Sequence, residues 1–208
     1  IVDSACCSIR PNNNYKDMNH IGVGGFASVN ETWNSYIKCN NLPIFSHGEI
    51  ITNAKMKLMP LLSYDNCGTG PDAYYNSPDN LVGIRNVIEP WDENVCWGNK
   101  PESDSVCVDY IQTSAATITD WNYWDITRSV KNWYTLEDPN TNNGFELYSF
   151  SSNKDVVMRY ISTENTDYPQ YKPQFVINYR EFIGEEDYWS YTSIASGNQG
   201  ISKINNYT

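Results

Sequence analysis

In the stretch NAKMKLM, Asn53 to Met59, the apolar residues Ala54, Met56 and Leu58 alternate with Lys55 and Lys57. That period of two belongs to a strand with one face buried and one wet. Runs of similar length and character recur along the chain: HIGVGGF, NSYIKCN, NLVGIRNVI, GFELYSF, DVVMRYIS and QFVINYR. They are rich in Val, Ile, Tyr and Phe, and Asn, Asp, Gly, Pro and Ser separate them, as at strand boundaries. In the last run Phe175 and Ile177 share one face, Val176 and Asn178 the other. Spacing is compact except for a turn-rich insertion at Ser63–Asn80. One segment departs from the period of two. In DITRSVKNWY, Asp125 to Tyr134, Ile126, Val130 and Trp133 fall at helical spacing, Arg128 and Lys131 face away, and Asp125 or Thr127 can cap the start. The pattern predicts an all-β chain, an antiparallel β-sandwich with one short helix over one end and Trp133 in the core.

Charge narrows the partners. The 208 residues carry 14 Lys+Arg against 25 Asp+Glu, a formal net charge of -11. Phosphate neutralisation needs basic residues, so nucleic acid is a poor partner, and an anionic membrane surface is disfavoured for the same reason. No apolar run approaches the ~20 residues of a membrane-spanning helix. The chain opens at Ile1-Val2-Asp3 without a basic-led apolar segment, and it reads as a piece of a longer protein. Six cysteines, an even number, allow disulfides. Cys96 and Cys107 stand near the two ends of one loop and are the pair expected first, while Cys39, inside YIKCNN, reads as a core thiol. With no CxxC and only two histidines, zinc is disfavoured.

No nucleophile elbow, metalloprotease helix or phosphate loop is present. His20 and His47 stand in separate loops. Asp92-Glu93 and Glu185-Glu186-Asp187 have the setting of solvated or capping carboxylates. No enzyme activity and no cofactor are expected. Loop oxygens at Asp65, Asn66, Asp72 or Asp79 would suit Ca²⁺, but no loop has a diagnostic calcium spacing. The aromatic supply is high, with 7 Trp and 16 Tyr. Sugar rings present flat apolar faces that aromatic platforms hold, so aromatics in turn-rich contexts are the candidate ligand contacts. These are Tyr74 and Tyr75, Trp121 and Tyr123, and Tyr168 and Tyr171. Arg85 and Arg159 would offer a planar fork to an acidic sugar, unless they neutralise neighbouring acids.

The ordered series PNNNY, SYIKCNNLP, ITNAKMKLM, EPWDENVCWGNKP, WDITRSVKNW, NNGFELYS and YKPQFVINY resembles the DNRLRE-type domain, a jelly-roll sandwich related to carbohydrate-binding module family 96. The resemblance spans Val2 to Tyr179. It implies that Trp91, Trp97, Trp124 and Trp133 are structural. The chain departs from the family at Cys96, where Thr is usual, at Cys39, where a large apolar residue is usual, and in its insertion. Beyond it, YREFIGEEDYWSY is similar to the segment that leads such domains into RHS/YD repeats of bacterial cell-surface and secreted proteins, through Gly184, Glu186, Asp187, Tyr188, Trp189, Ser190 and Tyr191. The resemblance thus implies a sandwich domain over residues 1–180 and a junction over 181–208 leading to a further module. It implies a non-catalytic carbohydrate-binding module of a large extracellular bacterial protein, with polysaccharide or neighbouring domains as partners. The alternative is a packing domain that abuts or plugs a repeat shell. A lectin site should leave solvent-facing aromatics clustered on one face; a packing domain should leave an apolar patch beside the Tyr179–Thr208 tail.

Overall fold

A computed structural model describes residues 1–45, 49–61, 80–113, 120–135, 142–150 and 156–181. The described residues form ten strands and one α-helix: β1 (Val2–Cys7), β2 (His20–Phe26), β3 (Glu31–Lys38), β4 (Glu49–Leu58), β5 (Leu81–Val87), β6 (Ser103–Gln112), β7 (Asn122–Asp125), α1 (Thr127–Thr135), β8 (Phe145–Ser149), β9 (Val156–Ile161) and β10 (Gln174–Glu181). Every strand pair is antiparallel. Seven strands make one sheet in the order β6-β5-β8-β3-β2-β9, with β1 also on β3. Three make the other, in the order β10-β4-β7. The chain is the antiparallel β-sandwich that its pattern predicts.

The alternation in β4 decides what faces where. Ala54, Met56 and Leu58 are buried, and Met56 pairs with Trp124 of β7 on one side and Phe175 of β10 on the other. These inward residues meet Ile21, Val23, Ile37, Ile84, Leu147 and Met158 of the larger sheet. Trp124 is fully buried and donates its indole N–H to Val82 O at 3.2 Å. The helix closes one end as its spacing requires: Ile126, Val130 and Trp133 are all in the core, and Trp133 packs on Phe145 with centroids 5.4 Å apart. Asp125 Oδ1 accepts the Thr127 N–H at 2.9 Å, and Thr127 Oγ1 holds the Ala54 N–H at 2.9 Å, which fixes the helix start to β4.

A second cluster lies on the far side of the larger sheet. Cys6 and Tyr36 are covered there by Val87 at the end of β5 and by Trp91 and Val95 from the turn between β5 and β6. Of the four tryptophans expected to be structural, Trp91, Trp124 and Trp133 are buried. Trp97 is only half-buried, with Lys100 Nζ 4.0 Å from its ring centre. Cys39 is not a core thiol: it lies one residue past β3 and is half-exposed, because the strand ends at Lys38. Cys96 and Cys107 are both free thiols, and Cys107 Sγ donates instead to Asp109 O at 3.3 Å. No helix among the described residues is long and apolar enough to cross a membrane.

Candidate functional site

Lys55 and Lys57 of β4 point to the opposite surface of the three-stranded sheet. Lys57 pairs with Tyr123 of β7 and with Gln174 of β10, so the three side chains form a row on the outer face. Lys57 Nζ donates to Gln174 Oε1 at 3.1 Å and stands 4.4 Å from the Trp121 ring centre and 5.6 Å from that of Tyr123. Lys55, one row along, stands 5.8 Å from the Tyr123 ring. Tyr171, from a 3-10 turn just before β10, meets Trp121 edge-on with centroids 6.2 Å apart. Tyr123 is 43 % exposed and Tyr171 37 %, which is high for rings that bury so much area when a partner exists. Trp121 and Tyr123 from one turn-rich stretch and Tyr171 from another thus converge on one face. Tyr168 opens the same 3-10 turn and is exposed.

The face is chemically mixed. Rings supply flat apolar area, while two ammonium groups and the Gln174 amide supply directional polar partners. Asp125, paired across from Lys55, keeps its carboxyl below the ordinary range through its hydrogen bonds to Thr127, helped by Lys55 and Lys131. Lys57 and Lys55 gain a cation–π partner at this surface, worth roughly 0.5–1 kcal/mol at exposed sites.

The other candidates lie elsewhere. Arg85, on β5, gives its Nε–H to Glu146 Oε2 at 2.7 Å, and its guanidinium stands 4.9 Å from the Tyr148 ring. Asn34 Nδ2 and Tyr36 Oη donate to the other oxygen of Glu146, the latter at 3.2 Å. Burial pushes the Glu146 carboxyl up, but the hydrogen bonds from Arg85 and Asn34 and the Arg85 charge help to outweigh it and hold it below its ordinary value. Arg85 therefore serves an internal acid. Arg159, on β9, lines a groove of about 190 Å³ with His20, Gly22, Tyr15 and Trp33. The Tyr15 and Trp33 rings are 4.9 Å apart and tilted by 56°. Tyr15 and Trp33 did not stand out in the sequence, although Gly22, where a Cβ would stand 3.6 Å from the Trp33 ring, was a signal for a ring lying over that strand. Tyr74, Tyr75, His47 and the four loop oxygens considered for Ca²⁺ lie outside the described residues, as does Phe182–Thr208.

A cavity of about 820 Å³ lies between β6 and α1 and is lined by Asp104, Asp109, Asp125, Arg128 and Lys131. Its carboxylates accept backbone N–H groups: Asp109 from Asp125 at 2.7 Å and from Tyr110 at 2.8 Å, Asp104 from Val106 at 3.0 Å. Among the described residues no group of three or more His, Cys, Asp or Glu side chains is placed to hold a metal ion. Neither a family model nor a curated protein matches the chain.

Proposed function

We propose that the outer face of the three-stranded sheet binds carbohydrate, and that the chain is a non-catalytic binding module of a bacterial extracellular protein. The observation that carries this reading is the convergence of Trp121, Tyr123 and Tyr171 around Lys57 and Gln174 on one solvent-facing surface. Pyranose rings stack their C–H faces on such aromatics, and their hydroxyls take hydrogen bonds from ammonium and amide groups. Strand register holds Lys57, Tyr123 and Gln174 in place, and Trp121 and Tyr171 flank them from just before β7 and β10, so much of the face is formed before any ligand arrives, which limits the entropy lost on binding. In this reading residues 181–208 lead from the sandwich into a neighbouring module of the RHS/YD-repeat type.

Calorimetry against a panel of neutral and acidic polysaccharides tests the platform. At least one glycan should bind, and Tyr123→Ala with Trp121→Ala should weaken it by tenfold or more without lowering the thermal midpoint by more than a few degrees. Absence of binding across the panel, or binding that both substitutions leave unchanged, refutes the reading.

A specific observation favours a packing role for a different surface. Ile44 is 97 % exposed beside Phe45, whose ring contacts Tyr134 at 4.7 Å and Tyr179 at 5.2 Å, close to where the chain leaves β10. A scaffolding module would use this patch. Ile44→Asp would then abolish association with the module that follows while leaving glycan binding as it was.

A further inference from the structure

The turn that carries Cys96 covers the cluster in which Cys6 is buried. Cys6 lies on β1 opposite Asn34 of β3, and Ser4 lies opposite Tyr36, so Cys6, Ser4 and Tyr36 occupy the same outer face of the larger sheet. That face is covered by the turn after β5. Val95 and Trp97, the two neighbours of Cys96, both pack on the cluster that contains fully buried Cys6. The turn is also tied to β1 and to the loop after it. Asn14 Nδ2 reaches Ser4 Oγ at 3.5 Å and Val95 O at 2.8 Å, and the Gly98 N–H donates to Pro11 O at 2.8 Å. Cys96 stands at the start of a 3-10 turn, where its carbonyl accepts the Asn99 N–H at 3.3 Å and Asn99 Oδ1 holds the Cys96 N–H at 2.6 Å. Burial pushes the Cys6 thiol up to about 12, and the next largest contribution is the nearby Cys96.

The other described thiols are engaged elsewhere. Cys7 alternates to the opposite face of β1 and reaches Glu31 Oε1 at 3.5 Å. Cys107 donates to Asp109 O, and Cys39 lies near Tyr134.

We propose that Cys6 and Cys96 are the two halves of a disulfide that clamps the β5–β6 turn onto β1, in place of the Cys96–Cys107 bond that the sequence suggested. Both are thiols in this structure. The chemistry is thiol–disulfide exchange with a small-molecule or protein disulfide as oxidant. The Cys96 thiolate, the more accessible, attacks one sulfur of the oxidant and releases its first thiolate, which takes a proton. The Cys6 thiolate then attacks Cys96 Sγ and expels the second thiolate, which takes the other proton. The Cys6–Cys96 bond forms, the oxidant's S–S bond is reduced to two thiols, and two electrons pass to it. Since burial suppresses the Cys6 thiolate in the folded chain, the second step is fast only while β1 and the turn are still docking. The bond therefore forms during folding, and the folded, reduced protein oxidises slowly.

The test is to refold the 208-residue chain in mixed reduced and oxidised glutathione, block residual thiols with iodoacetamide, and map the digest without reduction. A peptide joining Cys6 to Cys96 is expected, and a reducing agent should then lower the thermal midpoint by on the order of 10 °C, because the bond closes a loop of about 90 residues. Cys6→Ser risks a buried unpaired hydroxyl, so the informative variant is Cys96→Ser at the half-exposed partner. It should match the reduced wild type and ignore reductant, whereas Cys107→Ser should keep the full response. Carbamidomethyl groups on both Cys6 and Cys96 after oxidative refolding, or Cys96 joined to any other cysteine, overturns the proposal.

Discussion

Glu146 is 1 % exposed on β8 and remains a carboxylate because Asn34, Tyr36 and Arg85 all donate to it. A buried charge stripped of its partner costs far more than the pair contributes, roughly 3–5 kcal/mol, because desolvation is no longer offset. Arg85→Ala should lower unfolding stability by about that amount in urea titrations. Arg85→Ala combined with Glu146→Gln should recover a large part of it, since the amide carries no charge to strand. If the single variant costs under about 1 kcal/mol, water already reaches Glu146 and the internal role assigned to Arg85 fails. The same geometry explains why Arg85 looked like a ligand contact in the sequence. An arginine in a strand shows its charge there, but the acid it answers to lies 61 residues away.

At the scale of elements, β2 is shaped by its glycines. Gly24 has φ +137°, and a Cβ built on it would stand 2.0 Å from Val156 O in the neighbouring strand. At Gly22 the nearest atoms to such a Cβ, on Trp33 and Val157, are 3.6 Å away, an ordinary contact. Gly24→Ala should therefore destabilise by roughly 2 kcal/mol or more, through both backbone strain and collision with β9, while Gly22→Ala stays near neutral; equal midpoints for the two variants in thermal melts would contradict the assigned conformation. The elements that the sequence announced are those whose runs are rich in β-branched and aromatic residues or fall at helical spacing: β2, β3, β4, β5, β8, β9, β10 and α1. Those it concealed have a reason. In β1 both faces are buried, so Asp3, Ser4, Ala5, Cys6 and Cys7 show no alternation. In β6 a register shift opposite Ile84 and Arg85 lets Val108 and Ile111 both pack on the core although they are three apart. In β7 four residues are too few for a pattern. The aromatic face was legible in its members, Trp121, Tyr123 and Tyr171, but not as a unit. Its unity comes from Lys57 pairing across β4 to both neighbouring strands, which is information about register and not about any one segment.

The whole molecule sums two buried titrations that oppose each other. Asp3, on β1, accepts the Thr163 N–H at 2.8 Å, yet burial raises its carboxyl from 3.8 to about 7. His20, at the start of β2, is lowered from 6.5 to about 4 by burial, with Arg159 adding to the shift. Between about pH 4 and about pH 7 the folded chain keeps on Asp3 a proton that the unfolded chain has released, so raising the pH through that window removes stability. Between about pH 4 and about pH 6.5 the unfolded chain holds on His20 a proton that the folded chain refuses, so raising the pH through that window restores stability. Each effect is worth on the order of 3–4 kcal/mol across its window, and over their overlap the two largely cancel. The native protein should thus show a flatter dependence of stability on pH between 4 and 6.5 than either variant. Asp3→Asn removes the falling contribution, so its stability relative to the native chain should climb as the pH is raised from 4 to 7. His20→Gln removes the rising one, so its relative stability should drop from pH 4 to 6.5. Urea midpoints at pH 4, 5, 6 and 7 for the three proteins separate these outcomes. A constant offset between a variant and the native chain would mean only that a contact was lost, whereas opposite slopes for the two variants are the signature of two groups held in their neutral forms on adjoining parts of one sheet.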